Sequence, residues 1–297
     1  MGARREEYLM SLAGVDITGK TDSELTALFN KVLSSGMHGL CFSPYHDGQE
    51  PGDQLNAEQI RTRIEIIKPH TKWVRSFSCT EGNELIPQIA HENGMKTLVG
   101  AWLGKDEAIN EAEITGLIKL ANDGHADIVA VGNEVMYRGD CTEEELLEYM
   151  HRVKEAIPAG IPVGYVDAYY EFENRPKITE ACDVILANCY PFWEGCALEY
   201  STLYMKDMYN RALRAANGKK VIISETGWPN VGETFHGSVP STANALKYYI
   251  DAQRWSNEED IDIFYFSSFD ESWKTTDEGD VGAFWGLWDK NNKLKYQ

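Results

Sequence analysis

The sequence predicts an α/β fold: eight strands closed into a single (β/α)8 TIM barrel spanning residues 1–297, with its active site at the C-terminal ends of the strands. Three observations carry that prediction. Eight short apolar, β-branched or aromatic runs recur along the chain, and amphipathic stretches of helical period lie between them. No linker or internal repeat interrupts the alternation, and 297 residues is an ordinary length for one such barrel. An open doubly wound sheet is the alternative that the same alternation allows.

The first run, GLCFSPY (39–45), follows TDSELTALFNKVLSSG, a helix expected to cover the barrel bottom. WVRSFSC (73–79) comes after LNAEQIRTRIEIIK, where Leu55, Ile60, Ile64 and Ile67 recur at helical spacing. KTLVGAWL (96–103) is preceded by HENGMK, with a glycine that stops a helix just before a strand; ANGKKV repeats the device ahead of KVIISETGWP (220–229). DIVAVGNEV (127–135) leads to TEEELLEYMHRVKEAI, which opens with a threonine cap and an acidic first turn. PVGYVDAYY (162–170), DVILANCYPFW (183–193) and DIFYFSSFDESWK (262–274) complete the eight.

Composition narrows the partners. With 43% hydrophobic and 25% charged residues the chain is core-forming rather than disordered. No apolar run approaches the ~20 residues of a membrane span, so none is expected. A net charge of −19 repels nucleic acid and anionic membranes, which makes a neutral polymer the easier partner. The cysteines form no CxxC pair, and Cys41, Cys79 and Cys189, inside predicted strands, are expected to be buried free thiols. The histidines show no metal-binding spacing, so neither metal nor cofactor is expected.

The chemistry centres on two glutamates. In VIISETGWPN an apolar strand runs into Glu225, and Gly227 and Pro229 then turn the chain away, leaving a carboxylate at the mouth and outside the core. IVAVGNEV ends likewise in Gly132, Asn133 and Glu134. Strands four and seven lie nearly opposite in an eight-stranded barrel, so the two carboxylates face each other. Such a pair suits glycoside hydrolysis, one protonating the leaving oxygen while the other attacks the anomeric carbon or activates water. A buried salt bridge explains either one alone, but 28 basic residues against 47 acidic ones make two such pairings scarce. Trp102, Tyr170, Tyr190, Trp193, Trp228, Trp273 and Trp285 all fall at or just past strand ends. Singly each suits a core; together they suit a cleft, because sugar rings pack their C–H faces on aromatic faces.

VGNEV and SETGWP, in this order and at this separation, resemble the family 17 glycoside hydrolases, a retaining β-1,3-glucanase family within a large clan of (β/α)8 enzymes. WVRSF is similar to that family's strand-two arginine segment, NCYPFWEG to its Asn-x-Tyr-Pro-Tyr-Phe strand six, FSSFDESWK to its Phe-Asp-Glu-x-Trp-Lys strand eight, and GAFWGLW to its closing Phe-Gly-Leu segment. The resemblance implies Glu134 as general acid/base and Glu225 as nucleophile. It implies that Asn133 binds the sugar 2-hydroxyl, that Tyr190 supports the nucleophile, and that Glu271 and Lys274 pair beside the site. Arg75, Trp193, Trp228 and Trp273 join these as expected substrate-binding residues. Plant members end strand one in Tyr-Gly, whereas Cys41-Phe42-Ser43 stands here, so Tyr45 is the nearest substitute. A cation such as Lys274 or Arg75 would favour the charged form of Glu225, while Glu134 must start protonated. Retention requires the two carboxyls to lie about 5–5.5 Å apart.

Other readings compete. Gly14 to Thr21 fits the phosphate-binding pattern G-x4-G-K-[ST], yet no buried strand precedes it and no apolar strand ends in a magnesium-binding aspartate. A non-catalytic glucan-binding protein would keep the aromatics and lose one carboxylate. A β-1,3-glucanosyltransferase would resolve the same covalent intermediate with a sugar hydroxyl instead of water. The expected activity is hydrolysis of internal β-1,3-glucosidic bonds by a monomer. MGARREEYLM lacks a signal-peptide pattern, but glucans lie outside the cell that digests them. The expectation is therefore a secreted, periplasmic or cell-surface protein that has lost its targeting segment, with a cytoplasmic one as the alternative.

Overall fold

The computed structural model describes residues 19–296, the side chain of Asp277 excepted. Eight parallel strands close on themselves in chain order. They are β1 (Met37–Cys41), β2 (Thr71–Ser76), β3 (Lys96–Ala101), β4 (Ile128–Asn133), β5 (Val163–Ala168), β6 (Val184–Asn188), β7 (Lys220–Thr226) and β8 (Ile263–Tyr265). β1 closes the ring by pairing with both β2 and β8. Gly39 is required there, because a Cβ would lie 2.4 Å from the Phe264 ring.

Each strand is shorter than its apolar run. The last residues of GLCFSPY, DVILANCYPFW and DIFYFSSFDESWK leave the ladder and form the mouth, where a parallel barrel carries its working loops. The helices begin as their sequences dictate: Asn56 caps Ala57–Ile67, and Thr142 caps Glu143–Ala156 through a reciprocal bond with Glu145. Gly94 and Gly218 take the left-handed conformation that ends a helix before β3 and β7.

The helix Asp22–Ser34 does not cover the barrel bottom. It packs alongside Thr242–Glu259, with Phe29 set against Tyr249 and Tyr296 at ring distances of 4.9 and 5.1 Å. The reason lies in β8, which is followed at the mouth only by short turns, Ser272–Lys274, Thr275–Glu278 and Gly279–Phe284. The helical ring thus has a vacant eighth place, and the N-terminal helix fills it. Among the described residues no helix is long and apolar enough to cross a membrane. All six cysteines are free, with Cys41, Cys79, Cys182 and Cys189 buried. The phosphate-loop pattern lies mostly outside the described residues; within them, Thr21 serves as the cap of Asp22–Ser34.

Three ladders slip register. The breaks fall between Ala130 and Asn133 in β4, Ala187 and Asn188 in β6, and Ile223 and Thr226 in β7. A bulge re-aims the side chains that follow it. All three sit at mouth ends, within one or two residues of Glu134, Asn188 and Glu225.

Candidate active site

Glu225 is fixed from three sides. Arg75 of β2 reaches its Oε1 at 2.6 Å, the Asn188 amide of β6 donates to the same oxygen at 3.1 Å, and the Tyr190 hydroxyl donates to Oε2 at 2.8 Å. Burial first, and then the charge of Glu225, raise Tyr190 well above its ordinary value, so its hydroxyl stays a donor. Burial works against the charge of Arg75, but Glu225 and Cys41 together more than offset it. Arg75 also holds the Asn133 carbonyl oxygen at 2.7 Å and the Ser224 carbonyl at 3.1 Å. Glu225 is only 6% exposed, so it does not stand clear of the core as the mouth position suggested. The arginine is buried as well, and a buried cation demands a buried anion.

Glu134 stands at the end of β4 in different company. Gly132 and Glu134 both have positive φ, +86° and +52°, and the second is left-handed backbone in a non-glycine residue, which costs about 1–2 kcal/mol. Its carboxyl is half-buried and accepts from Asn188 at 2.8 Å. Burial, followed by the nearby charge of Glu225, pushes it up to about 7; Asp167 adds to the rise, while Asn188 and Arg138 oppose it.

Asn188 therefore joins the pair. Its Nδ2 donates to Oε1 of Glu134 and to Oε1 of Glu225, and its Oδ1 accepts from the Ser224 hydroxyl at 2.8 Å, which fixes the amide orientation. Two hydrogens leave an amide nitrogen at ~120°, so bonds of 2.8 and 3.1 Å put the two acceptor oxygens about 5 Å apart. No orientation takes these two oxygens beyond about 6 Å, a close approach that suits a retaining pair.

The β8 side supplies the remaining charges. Lys274 pairs with Glu271 at 2.7 Å and lies 4.2 Å above the Phe266 ring. Trp273 donates to Glu271 and meets Tyr45 edge-on at 5.9 Å, and the Tyr45 hydroxyl accepts from Asn83. Tyr45 thus belongs to the wall that holds Trp273 and Glu271. Glu278, on the turn after Lys274, is pushed up to about 7, chiefly by burial and further by Glu225 and Glu271 against the pull of Lys274.

The aromatic rim divides. Trp102 and Trp193 are 40% and 36% exposed, and Tyr170 and Trp273 are half-buried. Trp228 is no platform. It is 1% exposed, packs edge-on against Phe192 and donates its indole N–H to the Val239 carbonyl at 3.0 Å. Gly227 explains this: a Cβ there would lie 2.1 Å from the Phe266 carbonyl, so the chain hugs β8 and Trp228 enters the layer between barrel and helix Thr242–Glu259, against Tyr248. Trp285 is buried too, against Tyr190 and Phe192.

Sequence reading missed Asn188, Asp167, Glu278 and the exposed rings of Tyr137 and Phe235, the last 5.7 Å from Trp193. Asn188 was visible in NCYPFWEG as a polar residue closing an apolar strand, the same signal that marked the two glutamates. Nothing in the sequence pointed to Glu278.

Residues 39–286 match the BtgE/BtgC glycoside hydrolase domain. A glucan 1,3-beta-glucosidase of Arthroderma benhamiae is 32% identical, over 89% of this chain and 91% of that protein. One from Saccharomyces cerevisiae is 25% identical over 82% and 86%. The family 17 β-1,3-glucanosyltransferase of Rhizomucor miehei superposes with a TM-score of 0.79 at 29% identity, covering 88% of this chain and 96% of that one. An endo-laminarinase from Formosa shares the fold, with a TM-score of 0.74 at 18% identity and coverage of 88% and 85%. The chain belongs to the BtgE/BtgC glycoside hydrolases, within glycoside hydrolase family 17.

Proposed function

We propose that this chain, as one catalytic domain, hydrolyses internal bonds of β-1,3-glucan by a retaining double displacement. Glu225 attacks the anomeric carbon while Glu134 gives its proton to the leaving oxygen, forming a glycosyl ester on Glu225. The ester removes the negative charge that held up Glu134, which then accepts a proton from the incoming water, and Glu225 is released. Arg75 and Tyr190 keep the nucleophile oriented. Asn133, its carbonyl oxygen taken by Arg75, has its amide N–H donors free for a sugar hydroxyl such as the 2-hydroxyl.

The observation that carries this reading is the Asn188 amide shared by both carboxyls, whose bond lengths suit direct attack. Exposed rings of Trp102 and Tyr137 on the β3–β4 side and of Trp193 and Phe235 on the β6–β7 side suit a glucan that runs through the cleft rather than ending in it. The same rings favour a second reading, transfer to a sugar acceptor, as does the likeness to the Rhizomucor glucanosyltransferase. Incubation with laminarin-type oligosaccharides followed by chromatography tests both. Hydrolysis gives only shorter products, transfer also gives longer ones, and unchanged substrate defeats the proposal. A glucan lying outside the cell that digests it supports a site of action outside the cell or at its surface, and we propose that the protein works there as a monomer.

A further inference from the structure

One buried carboxylate beside the pair has no part in the steps above. Asp167 of β5 is wholly buried and makes no ion pair with any cation among the described residues. It accepts instead from the Ala168 N–H at 2.8 Å, from the Tyr165 hydroxyl, and from the Tyr137 N–H at 3.3 Å. The Met136 N–H donates to that same Tyr165 hydroxyl at 2.9 Å, and the Glu134 N–H donates to the Val166 carbonyl at 2.8 Å. Three consecutive residues of β5 thus receive the N–H groups of Glu134, Met136 and Tyr137, which are the groups that a left-handed start leaves without helical partners. Those acceptors oppose relaxation of the turn to ordinary backbone, which would swing the Glu134 side chain away from Asn188.

We propose that Asp167 is a positioning residue for the reaction: with Tyr165 it clamps the strained turn that aims Glu134, and it faces that glutamate with a negative charge that no cation neutralises. The proposal rests on the reading of Glu134 as proton donor. Among the described residues, three elements bring charge to Glu134. Glu225 faces it from β7, Asp167 from β5 and Arg138 from its own turn, while β6 contributes the neutral Asn188. Burial pushes Asp167 up to about 6, against the bonds from Tyr165, Ala168 and Tyr137. Its charge therefore develops as pH rises through about 6, just below the region where Glu134 would lose its proton, and it delays that loss. The anion costs the fold a desolvated charge, yet it extends the pH range over which the donor stays loaded.

The test is the pH dependence of kcat/KM on a β-1,3-gluco-oligosaccharide for Asp167→Asn and Tyr165→Phe. Asp167→Asn removes the charge and, with its one amide oxygen turned to the Tyr165 and Tyr137 donors, gives up only the Ala168 bond, so the alkaline limb should move to lower pH by roughly half to one pH unit. Tyr165→Phe removes one clamp, so kcat should fall roughly 3- to 10-fold with KM little changed. An alkaline limb that stays in place in folded Asp167→Asn overturns the proposal, as does a Tyr165→Phe variant with undiminished kcat. Should either variant fail to fold, amide exchange in the wild-type protein still decides: Met136 and Tyr137 should be protected, and fast exchange at both contradicts the clamp. Glu134→Gln separates the layers. If it retains wild-type kcat/KM, the proton-donor reading fails; if it is inactive while Asp167→Asn leaves the limb unmoved, only the role of Asp167 fails.

Discussion

On the β7 side of the mouth a carboxylate meets a cation; on the β4 side a carboxylate meets other carboxylates. Glu225 has Arg75 at 2.6 Å and the Tyr190 hydroxyl at 2.8 Å, all on strand ends or the segment just past them. Glu134 sits on a left-handed turn, with Glu225 and Asp167 as its charged neighbours and Arg138 as a countervailing cation. A single amide, Asn188, touches both. Two identical side chains thus stand in opposite surroundings, which under the proposed mechanism suit the first to attack and the second to give a proton.

The difference can be broken from either side. Glu225→Gln keeps the volume and removes the nucleophile, and kcat should fall by roughly 10⁴- to 10⁶-fold on glucan. Gln is the more informative replacement: it removes the charge but keeps an oxygen that can accept from Arg75, whereas Glu225→Ala removes both, at a cost of about 3–5 kcal/mol, and confuses folding with chemistry. Thermal unfolding of Glu225→Gln within a few degrees of wild type, together with lost turnover, supports the assignment.

Glu134→Gln comes next, with a loss of roughly 10²- to 10⁴-fold on glucan and far less on an aryl glucoside whose leaving group needs no proton. Azide should rescue Glu134→Ala and give a β-glycosyl azide. In the wild type kcat/KM should fall as pH rises through about 7, where Glu134 loses its proton. The sign for stability is the same. The folded state holds this proton above the ordinary value of 4.5, so Glu134 draws down stability as pH rises from about 4.5 to about 7, and Glu134→Gln should flatten that part of a thermal-unfolding profile.

Asn188→Ala sharpens the comparison because it touches both sides at once. It should lower kcat by roughly 10- to 100-fold through lost orientation. It should also move the alkaline limb to higher pH, since the amide bond favours the ionised form of Glu134. A limb that moves to lower pH instead would contradict the electrostatic description.

How far the sequence reached follows the same division. The strands were legible because a barrel strand buried on both faces is an apolar run, and the two glutamates stood out as charges at the ends of such runs. Arg75, Tyr190, Glu271 and Lys274 were reached through the family resemblance of the segments at the ends of β2, β6 and β8. Less legible were contacts made across strands. Asp167 meets Glu134 only through the register of β4 with β5, and Glu278 reaches the site from a turn with no pattern of its own. Trp228 misled because a strand-end tryptophan can face the cleft or the helical layer, and the close approach of Gly227 to the Phe266 carbonyl decides which. The smallest effects test that point. Trp193→Ala should raise KM by roughly 3- to 10-fold with little change in unfolding temperature. Trp228→Ala should instead cost about 3–5 kcal/mol of stability as a core truncation.

The central claim is that Glu225 attacks the anomeric carbon directly, with its partner about 5 Å away. The most direct test is proton NMR of the first reducing-end product, recorded before mutarotation. Double displacement predicts that the β-anomer appears first and the α-anomer grows in only later. An initial α-anomer would show that water, not Glu225, attacks the sugar, and would contradict the assignment of the pair.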